Sequence, residues 1–306
     1  MNHEKPYRDL KTYLKERYGE PVYRLPIDAG FTCPNRDGTL STGGCIYCDA
    51  TGSGFSVNKK LSIQEQMKER MEKLRNRGIG KFMAYFQANS NTYAPIPKLR
   101  ELYSSALLED VIILDISTRP DLVPNEVLEL LADYRKSVDV FLELGLQTVN
   151  YHTLRKLNRQ HTLAEFVDAV IRAKKYGLEV IAHVILNLPW DNLEDVVETA
   201  KIISVLQVDG VKLHSLYVVK DTPLEILYRK GKIKIGSLNE FINRAITFLE
   251  YLDPKIVIHR LAADPPHVGT VFGNWGLPKI EILNRIEKEM ILRGSYQGKK
   301  YAYLNR

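Results

Sequence analysis

Short apolar runs alternate with segments of helical periodicity along almost the whole chain. The runs are rich in valine, isoleucine, leucine and phenylalanine, as expected for strands that are buried on both faces of a parallel sheet. They predict strands at residues 22–28, 81–87, 111–117, 138–146, 179–188 and 210–219, with a possible seventh at 256–260. Strands that are separated by helices in this way are typical of an α/β protein.

The segments between the predicted strands begin with helix-capping signals. Ser62 and Glu65 form a capping box in front of an apolar stripe, and Thr162 and Glu165 repeat this pattern. Before the first strand, residues 5–19 read as a short basic helix. Helices therefore connect consecutive strands, which the crossovers of a parallel sheet require.

The series of strands and helices is unbroken and predicts one domain over residues 1–306. We expect a basic N-terminal helix within residues 1–20, a barrel core at about 21–235 and a C-terminal extension at about 236–306. Six or seven such units favour a parallel α/β barrel. A doubly wound open sheet has the same periodicity, and the pattern alone does not choose between the two.

The composition is that of a globular protein, with 44% hydrophobic and 26% charged residues. No apolar run approaches the roughly 20 residues that a membrane span needs. The first residues also lack the apolar core of a signal peptide. From the sequence we therefore expect a cytoplasmic protein with no membrane partner.

Basic residues are in excess and are unevenly distributed. The formal net charge is +6, and residues 279–306 contain seven Lys or Arg against three Glu. Such a segment is either a solvated terminal helix and tail or part of a surface that binds nucleic acid.

All three cysteines of the chain lie within sixteen residues, directly after the first predicted strand. Cys33, Cys45 and Cys48 are separated by eleven and then two residues. Three thiolates can hold three corners of a soft-metal site and leave a fourth corner open. A free coordination position favours a catalytic metal site over a purely structural one.

Several kinds of site can use three cysteines. A structural zinc ion usually has four nitrogen or sulfur ligands, and the nearest histidines in sequence, His3 and His152, are far away. A redox Cys-x-x-Cys pair leaves Cys33 unexplained, and an odd number of cysteines argues against a disulfide framework. The remaining interpretation is a [4Fe–4S] cluster with one iron free for a further ligand.

Three motifs surround these cysteines: Tyr-Gly-Glu-Pro at 18–21, Asp-Ala-Gly-Phe-Thr-Cys-Pro-Asn-Arg-Asp-Gly at 28–38 and Gly-Gly-Cys-Ile-Tyr-Cys at 43–48. Together they resemble the radical S-adenosylmethionine (radical SAM) superfamily. The usual spacing there is three and then two residues. The longer first gap resembles a subgroup that is allied to the elongator catalytic subunit and the oxygen-independent coproporphyrinogen oxidases.

The resemblance implies a partial (βα)6 TIM-like barrel, with parallel strands and short N- and C-terminal additions. It also implies a [4Fe–4S] cluster and S-adenosylmethionine (SAM) as cofactors, and an electron donor such as flavodoxin or ferredoxin. One electron from the cluster would cleave SAM to a 5′-deoxyadenosyl radical, which abstracts hydrogen from the substrate. Since some members of the close family resemble tRNA wobble-uridine tailoring enzymes, the implied substrate is a modified uridine in tRNA.

Polar residues gather where the predicted strands end, which is where a parallel barrel places its chemistry. By resemblance, the turn that contains Gln87 and Asn89 would meet the amino group of SAM, although the Gly-Gly-Glu that is common in the superfamily is absent. Arg119 would bind the carboxylate of SAM, with simple pairing to Asp121 as the alternative. Glu143 and Gln147 would contact the ribose or the amino-acid part; their stretch, 143–148, and Leu-Asn-Arg-Gln-His at 157–161 resemble the elongator and coproporphyrinogen groups.

Other strand-end residues suggest less defined roles. Tyr47, His214 and Tyr217 are candidates for steering a substrate radical. The segment 259–267 is expected either near the substrate opening or as the part that closes the barrel.

Two alternatives stand beside the tRNA-modifying enzyme. One is a radical SAM enzyme that acts on a small molecule. The other is a non-enzymatic interaction protein in which the thiolates hold zinc or a structural cluster, with Asp49 or a partner residue as the fourth ligand. Cleavage of SAM separates the last alternative from the first two, and affinity for tRNA separates the first two from each other.

Overall fold

The computed structural model of the chain describes residues 5–52, 54–55 and 57–304. Residues 1–4 of the predicted N-terminal segment and residues 305–306 of the C-terminal extension therefore lie outside the described residues. The strands are β1 (Val22–Ile27), β2 (Lys81–Phe86), β3 (Val111–Thr118), β4 (Asp139–Gln147), β5 (Glu179–Ile185), β6 (Gly210–His214), β7 (Val218–Val219), β8 (Val257–Arg260) and β9 (Thr270–Phe272). The helices are α1 (Leu10–Tyr18), α2 (Ile63–Arg75), α3 (Ile96–Ser105), α4 (Asn125–Tyr134), α5 (Tyr151–Lys156), α6 (Leu163–Lys175), α7 (Leu193–Val205), α8 (Pro223–Arg229), α9 (Leu238–Tyr251) and α10 (Lys279–Leu292).

Seven strands form one parallel sheet in the order β1-β2-β3-β4-β5-β6-β8. The sheet is curled into a half-barrel with helices on its outside, and β1 and β8 are its two edges. This confirms the predicted partial TIM-like barrel over a doubly wound sheet. β7 and β9 form a separate antiparallel ribbon.

The possible seventh strand of the sequence pattern is present as β8 and pairs with β6. The sheet thus has one strand more than the six that the resemblance implies. This strand lies within the segment 236–306 that was predicted as a C-terminal extension, so the barrel wall continues into that segment. The predicted strand 210–219 is divided into β6 and β7, which belong to different sheets.

Local signals in the sequence account for the helix starts. Ser62 and Glu65 form a reciprocal capping box at α2, and Thr162 and Glu165 do the same at α6. The N-terminal helix is shorter than the predicted 5–19, because Asp9 accepts hydrogen bonds from the Lys11 and Thr12 amides and fixes the helix start.

α1 closes the amino-terminal end of the half-barrel. Leu14 packs with apolar side chains that point into the barrel from four strands: Met83, Ile113, Phe141 and Ile181. Arg17 forms ion pairs of 2.9 Å with Asp139 and 2.5 Å with Glu179, the first residues of β4 and β5. The basic N-terminal helix therefore lies at the amino-terminal ends of the strands. The cysteine segment, which follows β1, lies at their carboxyl-terminal ends.

The helices cover the outer face of the sheet with a continuous apolar core. Phe82, Leu114, Leu142 and Val180 alternate outward along their strands and pack beneath buried side chains of the helices. In the described part of the chain, no helix has the length and apolar character that crossing a membrane requires.

Candidate active site

A cavity of about 450 Å³ opens at the carboxyl-terminal ends of the sheet strands. Its wall combines the cysteine loop (residues 28–52), the turns after β2, β3 and β4, and the ends of β6 and β8. Seven of the eight site residues that were predicted from the sequence line it: Cys33, Cys45, Cys48, Gln87, Asn89, Arg119 and Gln147. The fold therefore brings together side chains that are up to 114 residues apart in the sequence.

Tight turns shape the cysteine loop. The carbonyl of Cys33 accepts hydrogen bonds from the amides of Arg36 and Asp37 at 2.8 and 3.1 Å, and the amide of Cys48 bonds the carbonyl of Cys45 at 2.9 Å. Gly44 has φ +77°, and a Cβ atom there would lie 3.0 Å from the Arg36 side chain. Glycine is thus required for the chain to turn beside this arginine.

The loop is fastened by the segment that follows α5. Asn35 is fully buried and donates to the carbonyl of Asn158 at 2.6 Å, while Asn158 Nδ2 donates to the carbonyl of Gly44 at 2.8 Å. The amide of Ile46 bonds the carbonyl of Leu157 at 3.1 Å. Residues 157–161 therefore stabilise the cysteine loop through hydrogen bonds. The sequence had indicated this block by resemblance.

Arg159 is a site residue for which the sequence assigned no role. Its side chain is buried and donates to Cys45 Sγ at 3.3 Å and to the carbonyl of Gly145 at 3.0 Å. Burial alone would raise the pKa of the Cys45 thiol, but the adjacent Arg159 guanidinium outweighs burial and lowers it. Arg159 thereby favours the thiolate form that binds metal.

The three thiols are free and face the same space. Within the described ranges, no three His, Cys, Asp or Glu side chains are placed as ligands of a single metal ion. A [4Fe–4S] cluster presents a separate iron atom to each ligand, so three separate thiols around one cavity fit such a cluster.

Arg119 is suited to an anionic ligand group. Its side chain pairs with Asp121, with Nε and Nη2 at 3.0 and 2.8 Å from the two carboxylate oxygens. Its Nη1 atom is buried and has no hydrogen-bond partner among the described residues. The pairing with Asp121 that was considered as the alternative is therefore present, and one donor remains for a ligand such as the carboxylate of SAM.

Two other predicted contacts lie on strained backbone at strand ends. Asn89 and Gln147 have φ values of +62° and +72°, a region that residues other than glycine rarely adopt. Between Glu143 and Gln147, a Cβ at Gly145 would lie 2.8 Å from Gln147 Nε2 and 2.9 Å from Arg159 Nη2. Such strain and close packing are common where a site is organised for a ligand.

Glu143, the eighth predicted residue, is not among the residues that line the cavity. It belongs to a layer of polar side chains in the barrel interior, between the apolar layer at α1 and the cavity. We call this layer the polar belt; it takes one residue from each sheet strand, namely Arg24, Tyr85, Asp115, Glu143, His183, Lys212 and His259. Glu143 is fully buried and is not among the residues that line the cavity, although five other members of the polar belt are; its contact with SAM stays a prediction.

The polar belt is held together by ion pairs around Glu143. Lys212 Nζ lies 2.6 and 2.5 Å from its two carboxylate oxygens, His183 Nε2 lies 2.8 Å away and Arg24 Nη2 3.3 Å away. Burial would raise the pKa of Glu143, but these three neighbours hold it well below its usual range. Burial raises the pKa of Asp115 to about 8.

The acid stability of the protein should depend on His183. Burial lowers the pKa of this histidine to about 4, whereas an unfolded histidine titrates near 6.5. Between these values the unfolded state binds more protons, so His183 makes the free energy of unfolding fall as the pH falls from about 6.5 to 4. We expect His183→Gln to reduce the slope of stability against pH by up to about 1.4 kcal/mol per pH unit in this window.

Urea unfolding of the two proteins between pH 4 and 7 measures this difference in slope. His152→Gln, at an exposed position on α5, is the matched control. Equal slopes for native protein and His183→Gln would contradict the assignment of His183 as a buried neutral histidine.

The less defined sequence predictions also find places. Tyr47, His214 and Tyr217 all line the cavity. The segment 259–267 both closes the sheet, through β8, and contributes Arg260 and Asp264 to the cavity wall, so both of its expected positions are realised.

Comparison with known proteins agrees with this geometry. Residues 35–203 match the Radical SAM superfamily, and residues 208–291 match the Radical_SAM C-terminal domain. The chain is 40% identical over 309 residues to the uncharacterized protein YtqA of Bacillus subtilis, which covers 99% of this chain and 95% of YtqA. It is 37% identical over 295 residues to the uncharacterized protein MJ0486 of Methanocaldococcus jannaschii, covering 94% and 90%. Its fold is similar to that of Methanocaldococcus infernus Elp3 with an N-terminus deletion, with a TM-score of 0.69 and 18% identity over 93% of this chain and 68% of that one.

Proposed function

The chain belongs to the radical SAM superfamily, and on this premise we propose that it modifies a base in tRNA, most simply a uridine that already carries a modification. As a radical SAM enzyme it uses a [4Fe–4S] cluster and SAM. The observation that carries the reaction class is the convergence of three free cysteines with Arg119 and Gln147 on one cavity.

When bound, the cluster and SAM supply one-electron cleavage of a sulfonium and a carbon radical that abstracts hydrogen. In the proposal, Cys33, Cys45 and Cys48 hold the cluster, and Arg159 keeps the Cys45 sulfur in its thiolate form. Arg119 orients an anionic group of SAM through its remaining donor. A small reduced carrier such as flavodoxin or ferredoxin is the proposed source of the electron.

An exposed basic segment beside the cysteine loop supports a nucleic-acid substrate. We call it the basic rim; it comprises Lys220, Arg229, Lys230, Lys232 and Lys234, which are all exposed, against Asp221 and Glu225 in the same stretch. It is anchored beside the cysteines, because the amide of Leu224 in α8 bonds the carbonyl of Ile46 at 2.9 Å. Positive charge is therefore present next to the cysteine loop that forms part of the cavity wall.

The position of the basic rim also changes the proposed footprint of the RNA. The sequence pointed to the basic termini; of these, α1 closes the opposite end of the barrel, whereas Lys279 at the start of α10 lines the cavity. A base that reaches the cavity has to leave its stack, and neighbouring phosphates would then lie over the surface around the mouth. The basic rim is suited to those phosphates, and the N-terminal helix is not.

Neutralising the basic rim should weaken binding of tRNA. For Lys230→Gln/Lys232→Gln/Lys234→Gln we expect about tenfold lower affinity at moderate salt, because three phosphate contacts are lost. The exponent that relates affinity to salt concentration should fall by about 2–3. Filter binding of bulk tRNA to the cluster-containing protein at several salt concentrations measures both quantities.

The matched control is Lys11→Gln/Lys15→Gln/Lys288→Gln, which removes the same charge from exposed positions away from the mouth. It should bind tRNA almost as the native protein does. Equal losses in both triple variants would show that net charge alone attracts the RNA. If the native protein cleaves SAM but does not retain tRNA at low salt, the tRNA substrate is wrong and the reaction class stands.

A further inference from the structure

Arg260 is a cavity cation without an acidic partner among the described residues. Arg260, at the end of β8, lines the cavity, and its Nε atom is buried without a hydrogen-bond partner among the described residues. Its Nη2 atom lies against both ring nitrogens of His214, 2.7 Å from Nε2, so an imidazole occupies the place where a buried arginine usually has a carboxylate. No carboxylate of the described residues lies within ion-pair distance of Arg260; the nearby Asp264 is paired with Lys279.

The acidic side chains nearest to Arg260 in the barrel interior are paired with other cations. Arg24 lies 3.1 Å from Asp115, and Lys212 binds both carboxylate oxygens of Glu143. The two acidic side chains of the polar belt thus already have cationic neighbours, and neither pairs with Arg260. Since burial pushes the pKa of His214 well below its usual range, this histidine is neutral near pH 7.

The comparison with Arg24 shows the effect of the missing partner. Both arginines are partly buried, and loss of contact with water lowers the pKa of a guanidinium. At Arg24 the neighbouring Asp115 and Glu143 outweigh burial and raise the pKa, whereas at Arg260 burial prevails and lowers it. A cation that is desolvated without an anion is costly, and a bound anion would remove that cost.

We propose that Arg260 and His214 form a subsite at the inner end of the cavity for a carboxylate or phosphate group of the substrate. Arg260 offers Nε and a second donor to one anionic group, in the forked arrangement that suits planar carboxylates and phosphates. His214 adds one neutral N–H donor. The inference rests on the proposed function, because it assigns the anion to the substrate and thereby makes an anionic substituent a requirement for a good substrate.

The subsite is distinct from the place proposed for the carboxylate of SAM. Arg119 follows β3 and has its own unpartnered Nη1 atom, whereas Arg260 ends β8 at the other side of the sheet. The test therefore measures small anions and SAM separately. It uses binding alone, without turnover and without tRNA, so that its failure is distinguishable from failure of the proposed function.

Thermal unfolding of the cluster-containing, SAM-bound protein is followed with increasing inorganic phosphate or acetate, against sodium chloride of equal ionic strength. We expect at least one of the two anions to raise the apparent midpoint in a saturable way, and the comparison of phosphate with acetate identifies the preferred group. Arg260→Gln should lower the affinity for this anion at least tenfold, and Arg260→Lys should lower it less. Arg285→Gln, at an exposed position on α10, should behave as the native protein does.

Two further measurements decide the interpretation. SAM affinity, by equilibrium dialysis with labelled SAM, should differ less than twofold between Arg260→Gln and the native protein. Without added anion, Arg260→Gln should unfold at a temperature that is equal or higher by about 2 °C, because it removes an uncompensated charge. The proposal is overturned if neither anion binds saturably, if Arg260→Gln binds it as the native protein does, if SAM affinity falls in parallel, or if this variant is destabilised.

Discussion

Replacement of Cys45 by alanine is expected to abolish the cleavage of SAM. Cys45 is the most buried of the three cysteines, and its sulfur accepts from both Arg159 at 3.3 Å and Asn35 at 3.5 Å. With two thiolates left, a [4Fe–4S] cluster would lose one of its three protein ligands. Formation of 5′-deoxyadenosine by anaerobically reconstituted, reduced protein should fall to background, and the iron content per chain should fall with it.

The control for this variant is Leu40→Ala in the same loop. Leu40 is 49% exposed, and its amide, which bonds the carbonyl of Pro34, is unchanged by the substitution. It should keep both iron content and cleavage. Native-like 5′-deoxyadenosine formation by Cys45→Ala would show that Cys45 is not a cluster ligand.

Loss of the Glu143 charge should destabilise the fold strongly. Glu143→Gln keeps the shape of the side chain but leaves Lys212 without its counter-charge and removes one of the two carboxylates beside Arg24 in a buried layer. Breaking a buried ion pair on one side costs about 3–5 kcal/mol, because the remaining charge stays desolvated. The free energy of unfolding from urea titration, monitored by circular dichroism at pH 7, measures this loss.

A second substitution separates charge from packing. In Glu143→Gln/Lys212→Met the unpaired ammonium is also removed, so part of the lost stability should return. Glu69→Gln breaks an exposed pair with Lys73 on α2 and should have little effect. If the double variant is less stable than Glu143→Gln, charge pairing is not what Glu143 contributes.

The sheet could be predicted closely because its strands are buried on both faces. The predicted runs 111–117 and 138–146 correspond to β3 (Val111–Thr118) and β4 (Asp139–Gln147) within one residue at each end. The run 210–219 was less accurate, since apolar residues continue past His214 while the chain leaves the sheet. Hydrophobicity indicates burial, but it does not indicate which strand is the partner.

The polar belt was not recognised, although the sequence contains its signal. Asp115, Glu143, His183 and Lys212 each interrupt an otherwise apolar strand. A single charged residue in such a run has to find partners inside the fold, and its counterparts at the same level of neighbouring strands supply them. Comparing the charged interruptions of neighbouring strands, rather than reading each strand end alone, would have grouped Glu143 with the belt.

Most of the cavity wall was predictable, but its supports were not. Strand ends in a parallel barrel meet at one face, so Gln87, Arg119 and Gln147 were expected together. Arg159 and Asn35 act through hydrogen bonds to Cys45 and to distant carbonyls, and no spacing in the sequence indicates such contacts. Only the structure shows these contacts, because it places the segment after α5 against the cysteine loop.

This dependence on distant segments has a consequence for how the enzyme matures in the cell. During synthesis the three thiols leave the ribosome more than 100 residues before Leu157 and Asn158, and still longer before Leu224, whose amide bonds Ile46. Until those segments exist, the loop is held only by its own turns and by residues that follow β2. Iron and sulfide are therefore best delivered after translation has passed α8, and a nascent or truncated chain would expose three unprotected thiols to oxidation.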